Sequence, residues 1–186
     1  MGEDREIIQI HTDRLFLREM CEEDAESIVE MRGDEEVYRY FKEPHKITIG
    51  EHISWYRNSY LKNKNRIDLV AMLHKDVCEE EDVLPAGNVK PVKKEHSRII
   101  GVFGLQREEG ADTAEVSYIL KKDARGSGYA SEAVMGIMKY AKEKWNCTGC
   151  EAIIHKENKE SVKFIEALGY ELISTEGEFC RYGIRI

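Results

Sequence analysis

The chain contains no apolar run approaching the 18 or more residues that a membrane span needs. No apolar stretch follows the charged start Met1-Gly2-Glu3-Asp4-Arg5-Glu6 either, so no secretory signal is expected and the cytoplasm is the expected compartment. Positive charge is not in excess: 28 Lys and Arg stand against 36 Asp and Glu, a formal net charge of −8. That balance speaks against a nucleic-acid partner, because phosphate binding rests on a basic surface. It does not bound any single pocket, so an anionic cofactor stays compatible with it. Cysteines are few and odd in number (Cys21, Cys78, Cys147, Cys150 and Cys180), so no disulfide framework is expected. Cys147-Thr148-Gly149-Cys150 has the two-residue spacing of a zinc or redox pair. It lacks the second Cys/His pair of a zinc site, and it follows a helix and precedes a strand instead of opening a helix. Two ordinary thiols are expected there. The sequence shows no metal constellation, internal repeat or low-complexity tract.

What is present is a globular composition: 41% hydrophobic and 34% charged over 186 residues, enough for one domain with a real core. Arg14-Leu15-Phe16-Leu17-Arg18 alternates apolar and charged residues, as a half-buried strand does. Glu22-Glu23-Asp24-Ala25 opens a helix to about Arg32, its acidic start matching the helix dipole. A second helix runs from a Thr48 cap to about Leu61, with Ile53, Tyr56 and Tyr60 on one face. Ile67–Leu73, Arg98–Leu105 and Ala114–Leu120 read as strands, the last after a turn at Gly110-Ala111-Asp112. A long helix follows Gly128 to about Trp145, then a strand, Glu151–His155, and a helix from Lys159 to Leu168 ended by Gly169. Tyr170–Ser174 and Phe179–Ile186 close the chain as a hairpin. Residues 75–97 break this pattern, with acidic Glu79–Asp82, then Pro85, Gly87 and Pro91 among basic Lys90, Lys93 and Lys94. A flexible insertion in a single domain is expected there, with a lid or a partner surface as the other reading. The class is mixed α/β (α+β), a largely antiparallel sheet flanked by helices.

The most informative stretch is Ala124-Arg125-Gly126-Ser127-Gly128-Tyr129-Ala130, between a strand and the long helix. Glycines there allow a tight turn and let backbone N–H groups approach an anion, and the helix adds its positive end. The pattern is neither G-x-G-x-x-G with an acidic ribose ligand nor a Walker loop. A plain strand-to-helix turn is the alternative reading. At these residues the chain resembles the GNAT superfamily of N-acetyltransferases. Arg125-Gly126-Ser127-Gly128-Tyr129-Ala130 is similar to that family's coenzyme A signature, Q/R-x-x-G-x-G/A. Asn158-Lys159-Glu160-Ser161, then Phe164 through Gly169-Tyr170, is similar to its later N-x-x-[A/S] and L-G-[F/Y] pattern. Arg14–Arg18 and Ala114-Glu115-Val116-Ser117-Tyr118 resemble the branch containing the ribosomal-protein alanine acetyltransferases.

The resemblance implies a sheet splayed between strands 114–120 and 150–155, with acetyl-coenzyme A as co-substrate in the gap and no metal. Amides of Gly126, Ser127, Gly128, Tyr129, Ala130 and Ser131, with Arg125, would hold the pyrophosphate; Val116 and Tyr118 would border the pantetheine arm. Asn158 would contact that arm, or serve as a helix N-cap, or both. Glu115 is the candidate base for the attacking amine, or a surface glutamate on a strand. Many relatives place a tyrosine one residue after the Phe164 position; here that residue is Ile165. Ser161 is then the candidate hydroxyl for the leaving thiolate, and Tyr118 and Tyr170 are further ones. Tyr40, Phe41, His45 and Trp55 are candidates for the acceptor pocket, with the core as the other reading for Trp55; His155, at a strand end, faces the groove or caps it. The partner expected is a small-molecule amine or a peptide N-terminus, with no nucleic acid and no membrane, and a homodimer is one assembly open to it. A nucleotide-linked amino sugar is the alternative acceptor, and an inert acyl-coenzyme A sensor the reading of another class.

Overall fold

The computed structural model describes residues 8–76 and 98–186. Its strands are β1 (Gln9–His11), β2 (Leu15–Glu19), β3 (Arg66–Leu73), β4 (Ile99–Gln106), β5 (Thr113–Leu120), β6 (Gly149–His155), β7 (Glu171–Glu176) and β8 (Phe179–Arg185). The helices are α1 (Ala25–Arg32), α2 (Glu35–Tyr38), α3 (Ile49–Asn58), α4 (Tyr129–Trp145) and α5 (Lys159–Ala167). One eight-stranded sheet runs β1-β2-β3-β4-β5-β6-β8-β7. Every neighbouring pair is antiparallel except β5 and β6, which α4 connects as the crossover a parallel pair requires.

Alternation along the strands builds two cores, one on each face. Leu69, Phe103, Leu105, Val116 and their neighbours pack under Ala133, Val134, Ile137 and Ala141 of α4. On the opposite face Phe16, Val70 and Met72 join Ile28 and Met31 of α1, with Trp55 and Tyr56 of α3 against them. A slip of one residue in β5 would exchange these two sets, so apolar patterning fixes its register.

Caps match the sequence. Thr48 accepts from Glu51 N while the Glu51 carboxylate takes Thr48 N–H, a reciprocal capping box. Gly169 follows α5 at φ +90°, a conformation that a side chain resists. The three-residue β1 and the one-turn α2 carry too little pattern to read from sequence, and α3 ends at Asn58, with a 3₁₀ turn at Tyr60–Lys62 beyond it. Lys75 and Asp76, placed above in the insertion, close a 3₁₀ turn after β3; residues 77–97 lie outside the described residues.

Candidate active site

Strands β5 and β6 pair only from Thr113–Glu115 to Gly149–Glu151. Beyond that point they part, so Val116–Leu120 and Ala152–His155 no longer bond each other and face a gap. The edges of the gap are a V with Glu115 at its apex. A cleft of about 1480 Å³ runs through it, more than a single drug-sized ligand needs and suited to a long cofactor with a second substrate.

At the wide end sits the glycine turn. Gly126 and Gly128 have φ of +77° and +80°, the left-handed region that glycine enters without cost. A Cβ built on Gly126 would meet nothing within 4 Å, so main-chain amides there are open to the cleft. Helix α4 begins at Tyr129 and directs its first N–H groups at the same place. Gly126, Gly128, Tyr129, Ala130 and Ser131 all line the cleft, whereas Ser127 does not.

The Ser127 carbonyl instead accepts 2.9 Å from Arg14 Nη1, a residue the sequence flagged only as part of a strand. Arg14 also bonds Glu132 through its backbone N at 2.6 Å and its Nε at 2.7 Å, and its guanidinium lies 4.7 Å over the Tyr129 ring. Burial works against the Glu132 carboxylate, but hydrogen bonds from Thr12 and Arg14 hold its pKa below the ordinary value. This clamp fixes the turn's shape. Arg125 donates to the Leu120 carbonyl at 3.3 Å and lies about 4 Å from Asp34 and Glu36, which tie the turn to α2.

Along the other arm, Asn158 caps α5 by accepting from Ser161 N at 3.2 Å, as one of the two sequence readings expects, and also lines the cleft. Ser161 lines it too, and its carbonyl lies 3.5 Å from the Tyr118 hydroxyl. Burial pushes the Tyr118 phenol up to about 12. That burial works against ionisation of the Tyr118 phenol, which lines the cleft beside Phe164. Tyr170 is buried 3% exposed outside the cleft lining and serves the core. Cys150 is also buried; desolvation and its neighbour Cys147 push its thiol up to about 12, and both are free.

The second face of β5 carries Glu115, Ser117 and Ile119 toward α1 and α3. Asp68, Gly104 and Ser117 stand abreast across β3, β4 and β5, and the adjacent rung is Arg66, Gln106 and Glu115. Glu115 is exposed at the cleft edge and close enough to Arg181 to stabilise its charge. A Cβ on Gly104 would stand 2.4 Å from Ser117 Oγ and 2.6 Å from Asp68 Oδ1. Glycine there makes room for two polar side chains on one rung.

Asp68, 4% exposed, is held by Arg66 at 2.8 and 3.2 Å, and Arg66 lies 5.2 Å from the Trp55 ring. Trp55 packs on the second core and also lines the cleft. Tyr40, Phe41 and His45 line the same side, and Tyr40 lies 5.6 Å from the His155 ring, across the cleft mouth. The sequence did not single out Arg32, Asp68 or Ser117 for this wall. For Asp68 and Ser117 a polar residue at a strand position was the available signal, but its face became known only with the pairing register; Arg32 is the last residue of α1.

Independent comparisons agree with this geometry. Residues 14–171 match the family model described as the acetyltransferase (GNAT) domain. The chain is 29% identical over 165 residues to the uncharacterized N-acetyltransferase p20 of Bacillus licheniformis, covering 87% of this chain and 82% of that one. Among solved structures it resembles spermidine N-acetyltransferase from Vibrio cholerae in complex with CoA and spermine, with TM-score 0.72, 17% identity, and 92% of this chain and 95% of that one covered. It also resembles apo FdhC, a nucleotide-linked sugar GNAT, with TM-score 0.73, 17% identity, and 96% and 90% covered. The chain belongs to the GNAT acetyltransferase family, and it is an acyl-coenzyme A-dependent acetyltransferase. Among the described residues no helix is long and apolar enough to cross a membrane.

Proposed function

We propose that the protein transfers the acetyl group of acetyl-coenzyme A to a primary amine by direct attack, with Glu115 as base. The observation that carries this reading is the place of Glu115: the last residue of β5 that pairs with β6, at the apex of the V, on the face shared with the acceptor-side wall. The residues fit the cofactor. Open amides at Gly126, Gly128 and the start of α4, with Arg125 and Ser127 completing the turn, suit a pyrophosphate. From Leu120 back to Val116 the chain spans about 13 Å of backbone lacking a β6 partner, a channel for an extended arm bordered by Val116, Tyr118 and Asn158. When bound, acetyl-coenzyme A supplies the activated acyl carbonyl and a thiolate leaving group.

The amine must arrive with its lone pair free. At pH 7 that costs about 1 kcal/mol for an α-amine and roughly 4.6 for a lysine. Glu115 accepts this proton directly or through a water. Ser161, on the cofactor side of the gap, passes a solvent proton toward the departing sulfur. Tyr40, Phe41, His45 and Trp55 shape the acceptor side. An α-amine acceptor suits the ribosomal-protein alanine acetyltransferase branch that the sequence resembles.

A nucleotide-linked amino sugar is the second reading, favoured by the aromatic and cationic wall of Tyr40, Phe41, Trp55, Arg39 and Arg66. A thiol-release assay against alanyl peptides, polyamines, aminoglycosides and nucleotide amino sugars separates these acceptors. Acetyl-coenzyme A binding without thiol release for any of them would instead make the protein an acyl-coenzyme A sensor. A homodimer remains part of the proposal; edge strand β7 exposes Leu172 and Ile173.

A further inference from the structure

We propose that Arg32 and His52 bind an oxyanion, carboxylate or phosphate, carried by the acceptor amine, so that the enzyme selects anionic amines over polyamines. The inference rests on the transferase reading above and narrows its substrate class.

Among the described residues, three guanidiniums gather on the acceptor face and two buried carboxylates, Asp24 and Asp68, answer them. Arg18 holds Asp24 at 2.7 and 2.8 Å, and Arg66 holds Asp68. Among the described residues Arg32 has no ion pair and no hydrogen bond. Its Nε is buried without an acceptor, and its contact is the Phe41 ring at 5.3 Å. Glu36, the acidic residue nearest in sequence along the cleft wall, is engaged by Lys122 and Arg125. Burial, with Arg66 adding and Asp68 opposing, lowers the Arg32 pKa, the mark of a cation whose surroundings do not fully compensate it. A guanidinium is a planar fork of donors matched to carboxylate and phosphate.

His52 supplies the second, independent observation. It is 3% exposed, it lines the same cleft, and among the described residues neither Nδ1 nor Nε2 has a hydrogen-bond partner. A neutral imidazole carries one N–H donor and one acceptor, and leaving both unpaired in a buried site is costly. Burial and Arg32 both lower its pKa, keeping it neutral beside the cation. An oxyanion would take donors from both residues. The amine of such an acceptor would then find Glu115 on the same face of the cleft, so positive and negative ends of substrate and wall are matched.

The test is kcat/KM by thiol release for matched amines: β-alanine against propylamine, L-phenylalanine against L-phenylalaninamide, O-phosphoethanolamine against ethanolamine, and spermidine. Removing the oxyanion should lower the wild-type value about 10- to 100-fold, the weight of a charge-assisted hydrogen bond. Arg32→Gln should cost the oxyanion amines the same factor and close most of the gap between them and the neutral amines, so that the two losses do not add. His52→Phe should raise KM for the oxyanion amines about 10-fold with kcat held. Both variants should bind acetyl-coenzyme A as the wild type does. Arg32→Lys, which keeps the charge but loses the fork, should fall between, and it stands in should Arg32→Gln fold poorly. Preference between the carboxylate and phosphate arms names the group.

The inference is overturned if propylamine or spermidine serves as well as the oxyanion amines, or if Arg32→Gln slows both classes equally. Should no amine of the panel turn over, calorimetric titration of the same amines into the coenzyme A complex decides. Binding confined to oxyanion amines and lost in Arg32→Gln supports the site; no such binding by the wild type overturns it. Absence of acetyl-coenzyme A binding would instead sink the transferase reading itself.

Discussion

Replacing Gly126 with alanine isolates the turn that is proposed to cradle the pyrophosphate. Gly126 has φ +77° and open space around a new Cβ, so the folded state suffers backbone strain without a clash. A left-handed alanine costs about 1–2 kcal/mol, and the stiffer unfolded chain returns about 0.4–1 of it, leaving a net loss near 1 kcal/mol. For a chain of this size that is about 2–4 °C in Tm. Gly110 is a matched control: φ +79°, again nothing within 4 Å, in the β4–β5 turn outside the cleft lining. Gly110→Ala should lose the same stability and nothing else. In Gly126→Ala the methyl projects where the diphosphate would approach and displaces one charge-assisted N–H contact, so coenzyme A affinity should fall about 10- to 100-fold. Isothermal titration with coenzyme A, alongside thermal melts of both variants, reads the two effects separately. Wild-type affinity in Gly126→Ala, or an equal loss in Gly110→Ala, would refute the assignment of the turn.

Glu115→Gln should lower kcat by about 10²-fold or more while leaving the coenzyme A dissociation constant alone; full rate across neutral and alkaline pH would remove Glu115 from the mechanism. Asp24, 2% exposed, is bonded by both Nη atoms of Arg18, by Cys21 N and by the Cys21 thiol. Asp24→Asn should therefore cost about 3–5 kcal/mol, or about 6–20 °C in Tm, and a change within 2 °C would show the pair to be dispensable. His52 titrates below its ordinary 6.5 because of burial and Arg32, so the folded state resists the proton that the unfolded chain takes up. Stability should then fall as pH drops from 6.5 toward the folded value, with a slope of up to about 1.4 kcal/mol per pH unit. Urea unfolding of His52→Phe at stepped pH should show that slope missing, and an unchanged slope assigns the acid sensitivity elsewhere.

Much of the fold is legible in the chain because its signals are local. Period-two alternation marks Thr113–Leu120 as a half-buried strand, Thr48 with Glu51 makes a capping box, and Gly169 ends α5, whereas Leu15–Leu17, expected half-buried, is covered on both faces because Leu15 and Leu17 enter one core and Phe16 the other. Residues 125–131 were read as an anion turn because glycine spacing before a helix is itself a conformational instruction. Less was visible on the acceptor side. Asp68 and Ser117 are 49 positions apart and become neighbours only when β3, β4 and β5 lie in register. Arg14, read as a strand end, reaches Ser127 and Glu132 more than a hundred positions away.

The amino-acid sequence by itself determined where strands and helices lie, which face of each is apolar, and that a glycine turn precedes the long helix, since backbone preference and side-chain period act over a few residues. Tertiary structure alone decided that Glu115 is the last residue of β5 to pair with β6, that Arg14 braces the turn, and that Arg32 Nε and the His52 ring nitrogens line the cleft without a hydrogen-bond partner among the described residues. Those features depend on which distant charges and hydrogen-bond groups meet, and a linear pattern carries no term for an encounter across the sheet.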